Sequence, residues 1–292
     1  MSVQGRVTDY DRIADRFDTR YDYYSYDGVR ETLINFLGPQ PSAVLEVGCG
    51  TGHWLAVASQ ARLPAALSPV DGKPSTGEDA SADRGHRRAK ALTGRCLAGV
   101  DRSAPMLDRA RVAAPAAHLV RALAEDLPFG DASFDRIFCV NALHHFSDRA
   151  RFFAEARRVL RPGGGLLTIG KDPHNGRDEW WVYEYFEETM AIDLDRFARV
   201  RTLRGEMALA GFAWTESMEA EHVEVVRPAS EALANGIVDP AFTSQLTVLS
   251  STEFDRGAER LRQANDAAGG ELQLVADVRL YATIGWVQGS DT

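Results

Sequence analysis

Cysteine is scarce in this chain: three among 292 residues, Cys49, Cys96 and Cys139. None stands at metal-ligand spacing, and the three read as small, reduced apolar residues of a cytosolic protein. Positive charge is also short. Lys and Arg number 33 against 42 Asp and Glu, a formal net charge of −9 with pI about 5.3, whereas a nucleic-acid substrate favours a basic surface. No apolar run is long enough to span a bilayer, and the N-terminal stretch is polar and acidic rather than a signal peptide. The expectation is a cytoplasmic protein without membrane, metal or nucleic-acid partners. A hydrophobic content of 45% over this length suits one α/β domain with decorations.

What is present concentrates in nine residues, Val44-Leu45-Glu46-Val47-Gly48-Cys49-Gly50-Thr51-Gly52. The apolar run Ala43 to Val47 reads as a buried strand. It carries Glu46 and runs into three glycines at alternate positions. Such a turn lets backbone approach a ligand closely, and a helix from His53 to about Ala61 would aim its N-terminal amides at the same spot. A dinucleotide fingerprint needs glycines at the first, third and sixth positions of the turn. Counting from Gly48, the sixth is His53, so that fingerprint is missing. A second strand, Leu97 to Val100, ends at Asp101, where a carboxylate can accept both hydroxyls of a ribose. Ser103 reads as the cap of the next helix and Pro105 as part of its first turn. Gly52 and Asp101 lie 49 positions apart, where roughly 20 is usual for such a unit. The excess, residues 63–94, is rich in Pro, Gly, Ser, Asp and Arg and lacks apolar periodicity. It reads as a flexible surface insertion whose basic end, Arg84 to Lys90, finishes a helix.

Further segments follow in order. Ala116 to Val120 is a short apolar strand, followed by Ala122-Leu123-Ala124-Glu125-Asp126-Leu127-Pro128-Phe129. Arg136 to Val140 is a fourth strand, followed by Asn141-Ala142-Leu143-His144-His145-Phe146. Arg158 to Ile169 reads as helix, turn and strand. With the Glu-x-Gly-x-Gly-x-Gly run, these segments cover residues 40–170 and resemble the cofactor half of the class I S-adenosylmethionine (SAM)-dependent methyltransferases. The Leu-His-His-Phe run is similar to their small-molecule branch. The resemblance implies an α/β fold: a Rossmann-like doubly wound sheet, mostly parallel with an antiparallel C-terminal strand, plus helical insertions, in a single domain over residues 1–292. It implies SAM as cofactor, with the glycine turn under its methionine part and Glu46 helping to hold its amino group. The implied cofactor residues are Glu46, Gly48, Cys49, Gly50 and Gly52, then Asp101, Arg102 and Met106, then Ala124, Glu125 and Asn141. Leu123 departs from the pattern, since the family usually has an Asp there for the adenine amino group. That contact therefore falls to backbone around Ala124 and Glu125. The Asn/Asp-Pro-Pro-aromatic motif of base-modifying members is missing after the fourth strand. The acceptor implied is a small molecule, with natural products among the candidates.

The flanks should decide the substrate. Residues 1–40 read as N-terminal cap helices, and Tyr10 to Asp18 resembles the segment that caps the cofactor in small-molecule members. Residues 171–292 supply substrate-side elements. Tyr10, Tyr21, Trp180, Trp181 and Tyr183 are candidates to wall an apolar acceptor pocket beyond the strand ends. Packing of a surface helix by the same aromatics is an equal alternative. Leu203 to Gly211 reads as a helix with a glycine stop, Glu221 to Val226 as an alternating strand, and Val278 to Val287 as the last strand. Between these strands, residues 228–277 look helical, with Phe254, Ala258 and Leu261 on one face. A lid, a homodimer face or a plain cover all remain open for that insertion. If the acceptor is a hydroxyl or an acidic carbon, a base helps. His145 is the first candidate, then His144 and His174; an amine or thiolate would need none. Two other functions stay open: a SAM-fold enzyme for a non-methylating cyclisation or rearrangement, and a non-catalytic SAM-binding partner protein.

Overall fold

A run of apolar residues with no polar alternation can be buried on both faces only in the middle of a sheet covered by helices. The strand β1 (Ala43–Val47) is such a run apart from Glu46, and all five residues are buried. The structure, a computed structural model, describes residues 10–39, 41–61 and 96–289; the expected insertion 63–94 and its basic end lie outside them.

Three short-to-medium helices, α1 (Tyr10–Ile13), α2 (Arg20–Tyr23) and α3 (Asp27–Leu37), precede β1, and α4 (His53–Ala61) follows its glycine turn. Then come β2 (Cys96–Asp101), α5 (Ala104–Ala113), β3 (His118–Arg121), β4 (Phe134–Val140), α6 (Arg149–Val159) and β5 (Leu160–Lys171). The remainder comprises β6 (Glu179–Trp180), α7 (Trp181–Tyr185), α8 (Glu188–Arg196), α9 (Val200–Leu209), β7 (Trp214–Pro228), α10 (Ala229–Ala234), α11 (Ser244–Thr247), α12 (Ser251–Ala267) and β8 (Gln273–Trp286). The sheet order is β3-β2-β1-β4-β5-β8-β6, with β7 on the other edge of β8. The pairs among β1 to β5 are parallel, and those made by β8 are antiparallel.

The Rossmann-like α/β reading therefore holds, with two corrections. The expected antiparallel C-terminal strand is β8, which runs opposite to all three of its partners, β5, β6 and β7. First, its bounds differ. Pairing on both edges lengthens β8 to Gln273–Trp286, and it shortens the helical part of the 228–277 insertion to residues 229–267. Second, the third strand is not the apolar Ala116–Val120. It is His118–Arg121, with its residues exposed or half-buried, because it is the sheet's outer edge and packs one face at most. The first helix of the cofactor half matches expectation, as does the Ser103 cap, whose hydroxyl accepts from the Met106 N–H at 3.3 Å.

Two buried clusters sandwich the parallel strands, one around Ile137, Phe152 and Phe153 and the other around Leu33, Leu55 and Phe138. A third gathers the insertion: Ala258 and Leu261 of α12 and Leu246 pack with Trp181 and Phe186, with Phe254 at its margin. Of the roles left open for this insertion, structural cover is the one its packing displays. No helix among the described residues is long and apolar enough to cross a membrane.

Candidate functional site

The carboxyl ends of β1, β2, β4 and β5 converge on one side of the sheet. In parallel α/β sheets this is where helix N-termini and unpaired strand ends leave room for ligands. Two cavities open there and meet.

The first lies over the glycine turn. Gly48, Gly50 and Gly52 all have positive φ, at +75°, +52° and +85°, a region where a Cβ is strained. Their surroundings differ. A Cβ on Gly48 would stand 2.5 Å from the Ala142 Cβ, and one on Gly52 would stand 2.8 Å from the Ala110 Cα. These two glycines permit close packing. A Cβ on Gly50 would meet only the Phe17 ring edge, at 3.7 Å; it would project into the cavity. The turn is pinned from β2, since the Gly48 and Cys49 N–H groups both donate to the Val100 carbonyl at 2.8 and 3.0 Å.

Asp101 finishes the pinning. Its Oδ2 accepts the Gly50 N–H at 2.8 Å and its Oδ1 accepts the Ser103 N–H at 2.9 Å. Each carboxylate oxygen has two lone-pair sites, so Asp101 keeps acceptor capacity for a ligand in the cavity. Burial pushes its carboxyl above the usual range, against the pull of those N–H groups. Glu46 is 1% exposed. Its Oε2 is buried with no hydrogen-bond partner among the described residues. Burial, with Asp101 nearby, raises the Glu46 carboxyl well above its ordinary value. A buried carboxylate oxygen left without a partner calls for a donor or a cation from a ligand.

Ten of the eleven expected cofactor residues line this cavity; Gly52 alone stands behind it, against Ala110. Leu123 lines it as an apolar wall. The Glu125 carboxylate is occupied elsewhere. Its Oε1 takes the Ser147 N–H and hydroxyl at 2.7 and 2.9 Å and the Asp148 N–H at 3.2 Å, fixing the chain that enters α6. Oε1 is thereby committed to the α6 entry, while Ala124 and Glu125 line the cavity. The N-terminal segment roofs the cavity, tied down by Asp18 to the Thr51 hydroxyl and by Asp11 to the Ser103 hydroxyl, both at 2.5 Å.

Arg20 was not foreseen. Its guanidinium lies 3.8 Å over the Phe17 ring and donates to the Tyr21 hydroxyl at 3.0 Å. No carboxylate pairs with it among the described residues, and it lines both cavities. Its four-residue helix carries no periodicity that would mark it in the sequence.

The second cavity is walled by Tyr24, Tyr26, Trp180, Phe197 and the apolar faces of β7 and β8, with Thr243, Ser244 and Gln245 from the insertion. It shares Tyr10, Arg20 and Asn141 with the first. Of the expected acceptor-pocket residues, Tyr10 and Trp180 line it. Tyr21 instead sits in the first cavity, stacked on His53 at 3.7 Å. Trp181 is buried against Phe186. Tyr183 turns its hydroxyl to Asp193 and Lys171, at 2.7 Å each.

The three histidines separate. His145 lines the first cavity and bonds the Tyr10 hydroxyl. Burial, then the positive field of Arg196, lower its pKa to about 3, so it is neutral at ordinary pH. His144 lines the second cavity, stacked on Phe197 at 4.0 Å with Nε2 3.4 Å from the Ser244 hydroxyl. His174 lines neither cavity; its Nε2 lies 2.8 Å from the Phe197 carbonyl, and it serves the packing of the segment before α9.

Comparisons with known proteins agree with this geometry. Residues 84–168 match the family model described as "Methyltransferase domain". A phthiotriol/phenolphthiotriol dimycocerosates methyltransferase of Mycobacterium leprae is 32% identical over 151 residues, 52% of this chain and 44% of the relative. An uncharacterized methyltransferase of Synechocystis is 40% identical over 95 residues, 32% of this chain and 43% of the relative. The matches thus span less than half the length of these relatives. Among solved structures, a putative methyltransferase from an antibiotic biosynthesis pathway of Anabaena variabilis superposes with a TM-score of 0.60 at 20% identity, covering 87% of this chain and 96% of its own. At that identity the likeness speaks for the fold.

Proposed function

We propose that this chain, part of which matches a methyltransferase domain model, is a class I SAM-dependent methyltransferase that moves the methyl group of SAM to a small-molecule acceptor held in the second cavity. The observation that carries this reading is the meeting of the two cavities at Tyr10, Arg20 and Asn141. One cavity has the donors and acceptors a nucleoside amino acid requires; the other is an aromatic-walled chamber beside it.

The residues of the first cavity fit the cofactor. Glu46, buried with no partner for Oε2 among the described residues, would hold the α-ammonium, which restores its ionised form. Asp101 would accept the ribose hydroxyls with its spare lone pairs. Arg20 would take the carboxylate, and the open space at Gly50 would admit the methionine chain. Leu123 and the backbone at Ala124 and Glu125 would border the adenine. When bound, SAM supplies an electrophilic methyl on its sulfonium, so the protein's task is alignment and exclusion of water.

Tyr10 and His145 stand where the cavities join. A neutral imidazole accepts a hydrogen bond, and here Tyr10 occupies it. Protonating it is costly in this buried, positive surrounding, so His145 orients the Tyr10 hydroxyl toward the junction rather than storing a proton. The test is direct. SAM is titrated calorimetrically beside NAD, then methyl-labelled SAM is incubated with acceptor panels. Tighter binding of SAM and label in a small-molecule product are expected. Preference for NAD, or label retained in the cofactor across all panels, would sink the proposal.

A further inference from the structure

The second cavity ends in charge. Lys171, at the end of β5, is 8% exposed along its side chain. Its ammonium donates to the Tyr183 hydroxyl at 2.7 Å and to Asp193 Oδ2 at 2.9 Å. An ammonium has three N–H groups, so one remains, in a group that lines the cavity 4.2 Å from the Trp180 ring centre. Asp193 is fully buried and serves several donors. Besides Lys171 it takes the Tyr183 hydroxyl, the Gln245 amide and the Arg196 guanidinium at 2.6 Å. One carboxylate therefore stands between two cations. Arg196 keeps Nε and Nη1 buried with no acceptor among the described residues. The other nearby carboxylate, Asp178, accepts the Arg279 N–H at 3.0 Å with Oδ1 and keeps Oδ2 buried without a partner among the described residues; burial raises its carboxyl above the ordinary range, against the pull of Lys171.

The excess positive charge is felt at the cavity wall. His144 is lowered well below the ordinary imidazole range, by burial first and then by His145, Arg196, Lys171 and Arg20. A buried ammonium with one N–H left over, at the wall of a chamber lined largely by aromatic and aliphatic side chains, is best satisfied by an anionic acceptor. This holds with Arg20 set aside for the cofactor.

Resting on the methyl-transfer reading, we propose that the acceptor is an organic acid: an aromatic or compact apolar body seated among Tyr24, Tyr26, Trp180 and Phe197, with an anionic oxygen against Lys171. The flat walls select the body, and Lys171, held in place by Tyr183 and Asp193, selects the charge.

The experiment uses the full chain saturated with S-adenosylhomocysteine, whose own binding is measured first. Aryl carboxylic acids such as benzoate, 4-hydroxybenzoate and cinnamate are titrated beside their primary amides, which keep the shape and lose the charge. The acids are expected to bind about 10- to 100-fold tighter. Lys171→Met should reduce that preference to within about twofold while leaving the cofactor product's affinity unchanged. The variant Lys171→Gln, whose amide can still donate to Tyr183 and Asp193 and which leaves Arg196 paired, gives the same readout if Lys171→Met does not fold. Equal binding of acids and amides, no acid binding at millimolar concentration, or a preference that survives both variants would overturn the inference while leaving the methyl-transfer reading standing. Failure of S-adenosylhomocysteine to bind would instead overturn both.

Discussion

Replacing Asp101 by Asn separates the roles of one carboxylate. In the wild type each oxygen accepts one backbone N–H, from Gly50 at 2.8 Å and from Ser103 at 2.9 Å. Asn keeps the shape but has one acceptor oxygen. Whichever N–H it satisfies, the other faces an NH2 group. One hydrogen bond to a charged acceptor is lost, which costs about 1.5–3 kcal/mol. An offset exists in the unligated protein, because burial disfavours the ionised Asp101 and its charge pushes Glu46 further up. Removing that charge relieves both, so stability should change by no more than about 1.5 kcal/mol. Ligand binding has no such offset, since the spare lone pairs that face the cavity are those of the carboxylate. Affinity for SAM should fall about 10- to 150-fold. Calorimetric titration of SAM, alongside a circular-dichroism melt of the same sample, checks both halves. A folded Asp101→Asn protein that binds SAM within threefold of wild type would refute the assignment of this carboxylate.

Gly50→Val puts a branched side chain into the cavity at a φ that such residues resist, and should abolish SAM binding while a melt still shows a folded protein; normal binding would place the ligand elsewhere. Gly257→Ala in α12 puts a Cβ 2.3 Å from the buried Phe186 ring, so overpacking of about 1–3 kcal/mol should outweigh the helix-propensity gain of about 1 kcal/mol; a Tm at or above wild type by calorimetry would contradict this. The raised carboxyls of Glu46 and Asp101 detract from stability at neutral pH, and this loss is relieved as pH falls through their folded values. If the cofactor is held as proposed, its binding needs both ionised, so the rise in Tm caused by S-adenosylhomocysteine should shrink as the pH is lowered from neutral; a constant increment would argue that neither carboxyl contacts it. His145, lowered to about 3, should put no acidic limb near pH 6.5 in the pH–rate profile, and a limb there that vanishes in His145→Ala would overturn its reading as a neutral acceptor.

The first half of the site was legible because its determinants are local. A five-residue apolar run, a turn whose glycines must take positive φ, and a capped helix each follow from neighbours in the chain. The structure places β1, the turn and α4 where those rules put them. Asp101 was legible for the same reason, as the polar residue ending a buried strand. Only the tertiary structure decided the second cavity. Its walls come from α1, α2, β5, β6, β7, α11 and β8, and no short-range pattern links Tyr24 to Lys171 or Gln245. The aromatic run after β5 shows the limit. Sequence spacing could not tell that Trp180 would line a cavity, Trp181 would pack a core and Tyr183 would fix a charge, since each outcome depends on which distant element covers which face. The partnership of Lys171, Asp193 and Arg196 is likewise a product of folding. Buried charges must find partners across the chain, and which cation stays in excess is set by three-dimensional packing alone.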